Sequence, residues 1–284
     1  MIRIYTFADK RPDFIPLQLA GIKAFFPPDT SYTVFNNGET EEQRENIRLE
    51  VAALQNQPED FVTQTPQLFD LPPEAMDHSN PNAACAVPLN WAWQNVIAKI
   101  NHPDDILMVL DSDMFVVAPF DPIEYMTGYQ ISGTFQKRGK AKYIWNGIMI
   151  FGKLSEKHLK EFDFGYGEVE GSLTDVGGKT HDKLKQIHIS RIQNIYHTSH
   201  IHPVNKNMHC MPERLLKIYD PEFRMEIYAE VFLHYGRGSN WDKQSEDYHH
   251  RKTIFLNQAI NTSLFRHDTF KPHGYVFSEN EWEK

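Results

Sequence analysis

One short apolar run, ILMVL at positions 106–110, limits what this chain can fold into more than any other feature. The run is continuous rather than alternating, which is typical of a strand buried on both faces of a sheet. Such strands occur in α/β proteins, where helices cover both faces. The run ends directly in Asp111-Ser112-Asp113. We therefore expect acidic side chains at the carboxyl end of the innermost strand.

The segments before this strand alternate between strand and helix. IRIYTF at 2–7 and SYTVF at 31–35 are β-branched and aromatic, and apolar residues at helical spacing lie between 15 and 26. A polar segment at 41–57 and apolar spacing at 87–101 predict two further helices. This order is typical of βαβ units and indicates an α/β fold.

Beyond residue 128 the pattern is mixed. Strands are predicted at 129–135, 143–151, 186–192 and 228–234, and a last helix at 244–262. No internal repeat and no clear linker divides the chain. We expect a single domain over 1–284, with a mixed, mostly parallel central sheet flanked by helices.

Composition excludes several classes of protein. With 284 residues, of which 40% are hydrophobic, the chain can bury a core and is not disordered. A net charge of −9 argues against nucleic acid as a partner, because duplex binding depends on clustered cations. No run approaches the ~18 apolar residues of a transmembrane segment. The two cysteines and the absence of a leader-like N-terminus predict a cytoplasmic protein.

The two acids after the central strand suggest a metal site. Asp111 and Asp113 share a face if the strand continues through them, so both carboxylates can converge on one ion. Without a cation they would repel each other. Oxygen ligands suit Mg²⁺ or Mn²⁺, which can neutralise charge on a phosphate-bearing substrate. The alternative is a polar strand end that caps a turn.

The segment ILMVLDSDMFVVAPFDP, at 106–122, resembles the D-x-D region of glycosyltransferases with the Rossmann-like GT-A fold. The resemblance implies a nucleotide-binding half at 1–128 and a half for donor sugar and acceptor at 129–284. It implies a metal-dependent enzyme, with Mn²⁺ or Mg²⁺, that moves a sugar from a nucleoside-diphosphate sugar to a hydroxyl acceptor, expected to be a glycan.

The same resemblance implies which residues bind the nucleotide and the sugar. The nucleotide set follows the first two strands and the D-x-D centre: Thr6, Ala8, Asp9, Asn37 and Ser112. The donor-sugar and acceptor set consists of Asn90, Trp145, Asn146 and Gly147. Gly147 would let a ligand approach the backbone, and Asn146 offers a donor and an acceptor to sugar hydroxyls. A glycine bulge beside a buried Trp145 is the alternative.

A late segment, FLHYGRGSNW at 232–241, resembles the His-x-x-Gly-x-x-Lys-Pro-Trp motif of retaining members of these families. The resemblance implies His234 as a third metal ligand. It also implies a phosphate-binding loop, because backbone N–H groups of Gly236 and Gly238 can face an anion. The spacing is one residue shorter and Ser-Asn replaces Lys-Pro, so Arg237 or Lys243 would supply the cation. The alternative is a histidine that ends a core strand.

Asp175 is the candidate catalytic base, since inverting members of the fold place an acid near this point and a carboxylate can abstract a hydroxyl proton. A turn aspartate before Gly-Gly is the alternative, and inversion or retention stays open. Two other functions remain: a haloacid-dehalogenase-type phosphatase with Asp111 as nucleophile, and a non-catalytic carbohydrate-binding protein. Against the phosphatase, about 110 residues precede the motif and no later Gly-Asp-x-x-x-Asp is found.

Overall fold

The computed structural model describes residues 1–56, 64–100, 102, 104–195, 197–200, 223, 225–229, 231–236, 244–264 and 274–276. The strands are β1 Ile2–Ala8, β2 Thr30–Asn36, β3 Gln67–Asp70, β4 Ile106–Leu110, β5 Met114–Val116, β6 Ile131–Arg138, β7 Ala141–Phe151, β8 Gly167–Val169, β9 Ser172–Thr174, β10 Ile192–Ile195, β11 His197–His200, β12 Glu226–Tyr228, β13 Phe232–His234 and β14 Gly274–Val276. The helices are α1 Phe14–Phe25, α2 Glu41–Gln55, α3 Pro81–Ala92, α4 Ala98–Ile100, α5 Pro122–Tyr125, α6 Glu156–Lys160, α7 Thr180–Leu184 and α8 Glu246–Leu264.

The main sheet has the strand order β14-β10-β6-β7-β4-β1-β2-β3. Strands β3, β2, β1 and β4 are parallel neighbours, whereas β7 runs against both β4 and β6. Strand β10 pairs with β6 in parallel, and β14 pairs with β10 in the antiparallel direction. The predicted fold class, a mixed and mostly parallel α/β sheet flanked by helices, is confirmed. The division into halves at residue 128 stays a prediction.

The central strand β4 is buried on both faces, as its continuous apolar run predicts. Ile106, Met108 and Leu110 enter the core that contains α1 and α2, whereas Leu107 and Val109 enter the core on the opposite face. Successive side chains of a strand point to opposite faces, so an uninterrupted apolar run supplies both cores at once. The strand therefore fixes the position of the acidic turn that follows it.

A second, smaller sheet places a late part of the chain beside that turn. Its order is β11-β12-β13-β5, and β5 begins at Met114, directly after the Asp-Ser-Asp tripeptide. Helix α1 packs closely against β5, because a Cβ at Gly21 would lie 2.5 Å from the carbonyl oxygen of Val116. Helix α8 covers the other side, with Phe255 and Ile260 packed in the same core as Leu233.

Three predicted elements differ from those observed. The helix predicted at 87–101 begins earlier, at Pro81, because the Asn80 side chain accepts hydrogen bonds from the first free backbone N–H groups. It continues through a π-helical turn at Trp93–Ile97. The strand predicted at 186–192 is instead found at Ile192–Ile195, as β10. The single strand predicted at 228–234 is wrong: the chain folds back at Ala229, whose φ is +49°, and forms the antiparallel pair β12 and β13.

An ion pair joins the two central strands at the edge away from the acidic turn. Arg3 Nε donates to the Oδ2 atom of Asp105 over 2.6 Å. Burial alone would raise the pKa of Asp105, but the hydrogen bond from Arg3, with help from the backbone N–H of His102, holds that pKa below its usual value. Protonation of Asp105 therefore opposes folding.

We predict that Asp105→Asn lowers the free energy of unfolding at pH 7 by about 2 kcal/mol, the scale of a hydrogen bond to a charged group. A carboxyl group whose pKa is lower in the folded state stabilises the fold at pH values above its unfolded-state pKa of about 4. This stabilisation is lost as the pH falls through the folded-state pKa. The difference from the wild type should therefore shrink between pH 5 and pH 2, as measured by urea unfolding. The control is Asp104→Asn, because Asp104 is exposed. A difference that stays constant over this range would contradict the prediction.

Candidate functional site

The carboxyl ends of the parallel strands meet at one edge of the main sheet, and the chain places polar residues there. Asp9 follows β1, Asn37 follows β2 and Asp111 follows β4, three neighbouring strands in the sheet. Strand β7 runs the other way, so its residues Asn146 and Gly147 come to the same edge, where the Asp111 N–H donates to the Gly147 carbonyl oxygen at 3.0 Å. In open α/β sheets this edge is where ligands bind.

A cavity of about 710 Å³ opens at this edge. Nine of the residues predicted from the sequence line it: Asp9, Asn37, Asp111, Ser112, Asp113, Trp145, Asn146, Asp175 and His234. Four of them are aspartates. Burial is the main cause that raises the pKa of the Cys85 thiol in the cavity wall, and the negative charges of these four carboxylates raise it further. All four carboxylates therefore lie near this thiol. The cavity is therefore strongly acidic.

Asp111 and Asp113 lie on a turn rather than on a continued strand. Strand β4 ends at Leu110, and the Met114 N–H closes the turn by donating to the Asp111 carbonyl oxygen at 3.0 Å. The expectation that the two acids share a strand face is thus wrong, although both still line the cavity. Burial, then repulsion from Asp113, raises the pKa of Asp111 to about 7, and His234 partly offsets this.

A buried glutamine shapes the acidic turn. Gln18 of α1 donates through Nε2 to the carbonyl oxygens of Asp111 and Met114, at 2.7 and 2.8 Å. Its Oε1 accepts from the Tyr32 hydroxyl at 2.7 Å, and both side chains are almost fully buried. Nothing in the local sequence around the D-x-D signals this contact, because Gln18 lies 93 residues away.

The second sheet brings His234 to the same turn. Met114 pairs with His234 across β5 and β13, and the Tyr235 N–H donates to the Asp113 carbonyl oxygen at 2.8 Å. The His234 Nε2 atom lies 3.1 Å from Asp113 Oδ1, and Nδ1 lies 2.8 Å from Glu226 Oε2. Burial alone would lower the pKa of His234, but the carboxylates of Asp113 and Glu226 raise it to about 10. Each ring nitrogen therefore faces a carboxylate oxygen within hydrogen-bond distance.

The pair of Asp113 and His234 has the spacing of two metal ligands. Two donor atoms at right angles about 2.1 Å from one ion lie about 3.0 Å apart. The observed distance between His234 Nε2 and Asp113 Oδ1 is 3.1 Å, close to this value. In the described part of the chain, no group of three or more His, Cys, Asp or Glu is already arranged around one ion. Asp111 lies on the same turn as Asp113, beside this pair.

Gly147 has a different role from the predicted one. A Cβ there would lie 2.0 Å from the indole of Trp145, so the space beside the backbone is filled by this ring rather than left open for a ligand. The Trp145 ring also packs against the rings of His234 and Tyr228, with centroid distances of 5.2 and 5.8 Å. Gly147 therefore permits Trp145 to pack beside the acidic turn.

Several other predicted residues do not line the cavity. Thr6 is fully buried within β1, and Ala8 is a core residue whose carbonyl accepts from the Asn37 N–H at 2.8 Å. Asn90 donates to Asp163 at 3.0 Å and so braces the loop before β8. Gly236 accepts a hydrogen bond from Lys252 at 3.1 Å. Three predicted phosphate-binding residues lie outside the described residues: Arg237, Gly238 and Lys243.

Some buried polar atoms of the cavity wall have no hydrogen-bond partner among the described residues. They include Asp9 Oδ1, Asn37 Oδ1 and His78 Nε2. Burial raises the pKa of Asp9, which His78 and Lys10 partly offset. His78 also lines the cavity, although no sequence motif includes it. Asp175 also lines the cavity, with its Oδ2 atom 3.6 Å from Arg138.

Solved structures similar to this chain include two of the galactosyltransferase LgtC. One is a crystal structure in complex with donor and acceptor sugar analogs. It is 15% identical, and the match covers 57% of this chain and 59% of LgtC with a TM-score of 0.35. An active-site mutant of LgtC gives 15% identity, coverage of 57% and 60%, and a TM-score of 0.36. The match thus spans less than two thirds of LgtC.

No family model and no curated protein sequence matches the chain. No helix among the described residues is long and apolar enough to cross a membrane. LgtC belongs to the class of enzyme that the D-x-D region resembles.

We predict that Gln18→Leu destabilises the protein by about 1–3 kcal/mol, because two buried carbonyl groups lose a donor. Tyr32→Phe removes only the hydroxyl that orients Gln18 and should cost less, about 1 kcal/mol. The first variant should also speed hydrogen exchange at the Met114 amide, which closes the acidic turn. Urea unfolding and amide exchange measure the two effects. Unchanged exchange at Met114 in Gln18→Leu would show that Gln18 does not hold the turn.

Proposed function

We propose that this protein is a metal-dependent glycosyltransferase that transfers a sugar from a nucleoside-diphosphate sugar to a hydroxyl acceptor, with a glycan as the expected acceptor. One observation supports the proposal above the others. An acidic turn, a histidine from a distant segment and an aromatic ring converge in one cavity at the carboxyl edge of the sheet. We also propose that the enzyme works in the cytoplasm.

The chemistry of the donor set supports a divalent cation. Two carboxylates and one imidazole suit Mn²⁺, with Mg²⁺ as the alternative. In the proposal, Asp111, Asp113 and His234 hold the ion. When bound, the ion would supply positive charge against the departing diphosphate. Burial and the Asp113 charge raise the pKa of Asp111, so a cation bound at this position would offset the repulsion between the two carboxylates.

The nucleotide would lie over the ends of β1, β2 and β4. Asn37 is almost fully buried, and its Nδ2 donates to the Ala84 carbonyl at 2.9 Å, which fixes the amide and directs Oδ1 as an acceptor. Asp9 adds a second acceptor, and Ser112 lines the wall beside the acidic turn. Hydroxyls of a ribose and N–H groups of a base are donors that satisfy such atoms.

The sugar would lie on the side of β7. The Trp145 ring offers an apolar face of the kind that packs against sugar C–H groups, and Asn146 offers both a donor and an acceptor. Asp175 would accept the proton of the acceptor hydroxyl. Its hydrogen bond from the Val176 N–H, 2.9 Å, orients the carboxylate. Arg138 Nη2 lies 3.6 Å from the other oxygen of this carboxylate, Oδ2.

We predict that Mn²⁺ and a nucleoside diphosphate together raise the melting temperature more than either does alone. Saturation at 100 times Kd stabilises by about 2.7 kcal/mol, which is several degrees for a chain of this size. Asp113→Asn should abolish the joint effect, and the exposed Asp104→Asn at the opposite end of β4 should preserve it. The measurement is differential scanning fluorimetry with UDP, GDP, ADP and CDP.

The same series then tests turnover with the corresponding nucleotide sugars. Release of the nucleoside diphosphate, with the sugar passed to a hydroxyl acceptor, supports a transferase. The proposal fails if the wild type shows no metal-dependent nucleotide binding. A covalent aspartyl-phosphate at Asp111 would establish a phosphatase instead, and sugar binding without turnover of any donor would indicate a binding protein.

A further inference from the structure

The side of His234 that faces away from the acidic turn is held by a carboxylate that the sequence motif does not include. Glu226 Oε2 lies 2.8 Å from His234 Nδ1. The two residues are directly opposite each other in the antiparallel pair β12 and β13. Side chains of directly paired residues stand on the same face of a sheet, so this contact follows from the register and not from a flexible approach.

Tyr228 holds the Glu226 carboxylate in turn. Its hydroxyl donates to the same oxygen, Glu226 Oε2, at 2.6 Å. Tyr228 stands two residues along β12 from Glu226, so both side chains lie on one face of the sheet. The Trp145 ring packs against both Tyr228 and His234 and limits the rotation of the imidazole. A hydroxyl, a carboxylate and an imidazole therefore form a fixed chain that ends at Nε2.

We propose that Glu226 is a positioning residue for the metal ligand His234, an inference that rests on the proposed function. By accepting the Nδ1–H, Glu226 keeps the proton on that nitrogen and directs Nε2 towards Asp113 and the cavity. A carboxylate on the second nitrogen also makes an imidazole a better ligand. Mg²⁺ is a hard cation that takes oxygen ligands, whereas Mn²⁺ is a first-row transition metal that accepts a nitrogen ligand more readily, so the contact favours Mn²⁺ over Mg²⁺.

The test compares three variants of the full chain by isothermal titration with Mn²⁺ and with Mg²⁺. Glu226→Ala removes the acceptor, and Mn²⁺ affinity should fall 10- to 100-fold. Mg²⁺ affinity should change far less, because the carboxylates of Asp111 and Asp113 remain. Glu226→Gln restores an acceptor oxygen and should recover most of the Mn²⁺ affinity. Glu74→Gln, an exposed glutamate on a short helical turn, is the control.

A second measurement on the same variants needs no metal and no substrate. The Nδ1–H of His234, assigned in proton and nitrogen spectra by its absence in His234→Gln, should exchange slowly in the wild type and in Glu226→Gln. It should be lost in Glu226→Ala. If Glu226→Ala does not fold, Tyr228→Phe takes its place, because the carboxylate then loses the hydroxyl that orients it and Mn²⁺ affinity should fall by a smaller factor.

The outcomes separate this inference from the proposed function. An unchanged ratio of Mn²⁺ to Mg²⁺ affinity in Glu226→Ala, with normal wild-type binding, overturns the positioning role and leaves the function standing. A loss of Mn²⁺ affinity that Glu226→Gln fails to restore also contradicts it, because the hydrogen-bond acceptor would then not be the cause. A wild type that binds neither cation overturns the metal-dependent function and, with it, this inference.

Discussion

The contact between Asp113 and His234 is the interaction on which the site depends. It joins the turn after the central strand to a strand of the second sheet, across a distance of 3.1 Å. The imidazole lies between the carboxylates of Asp113 and Glu226. A cavity lined by four aspartates would otherwise be costly to form, because buried like charges repel.

The rest of the fold supports this contact from several directions. Gln18 fixes the backbone of the acidic turn, and Gly21 lets α1 lie against β5. Glu226 fixes the opposite side of the imidazole. Such support is expected where a binding geometry must be held within a fraction of an ångström. The cavity is therefore formed by elements from both ends of the described chain.

The sequence predicted the parts of this arrangement that depend on local pattern. The run at 106–110 is a buried strand, and the resemblance to a late histidine motif placed His234 beside the acids. Residues that act through long-range packing could not be predicted. Gln18 reaches carbonyl groups 93 and 96 residues away, and Glu226 reaches His234 only because the chain folds back at Ala229. A positive φ at an alanine leaves no mark in the apolar pattern.

Two predicted roles changed for a similar reason. Gly147 was expected to admit a ligand, but its missing side chain makes room for Trp145. Asn90 was expected near the sugar, but its amide braces the loop around Asp163. In both cases the residue type was compatible with either role, and only the packing around it decides between them. Residue types therefore show which chemical groups the chain contains, and the packing of the fold determines which of those groups reach the cavity.

The central claim, that Asp113 and His234 ligate one divalent cation, is tested most directly by a crystal structure of the protein grown with Mn²⁺ and a nucleoside diphosphate. Anomalous scattering locates manganese without reference to the model. The account predicts a peak about 2.1 Å from both a carboxylate oxygen of Asp113 and Nε2 of His234, in contact with the diphosphate. A nucleotide bound in the cavity with no manganese between these two residues, and the direct contact between them intact, would contradict it.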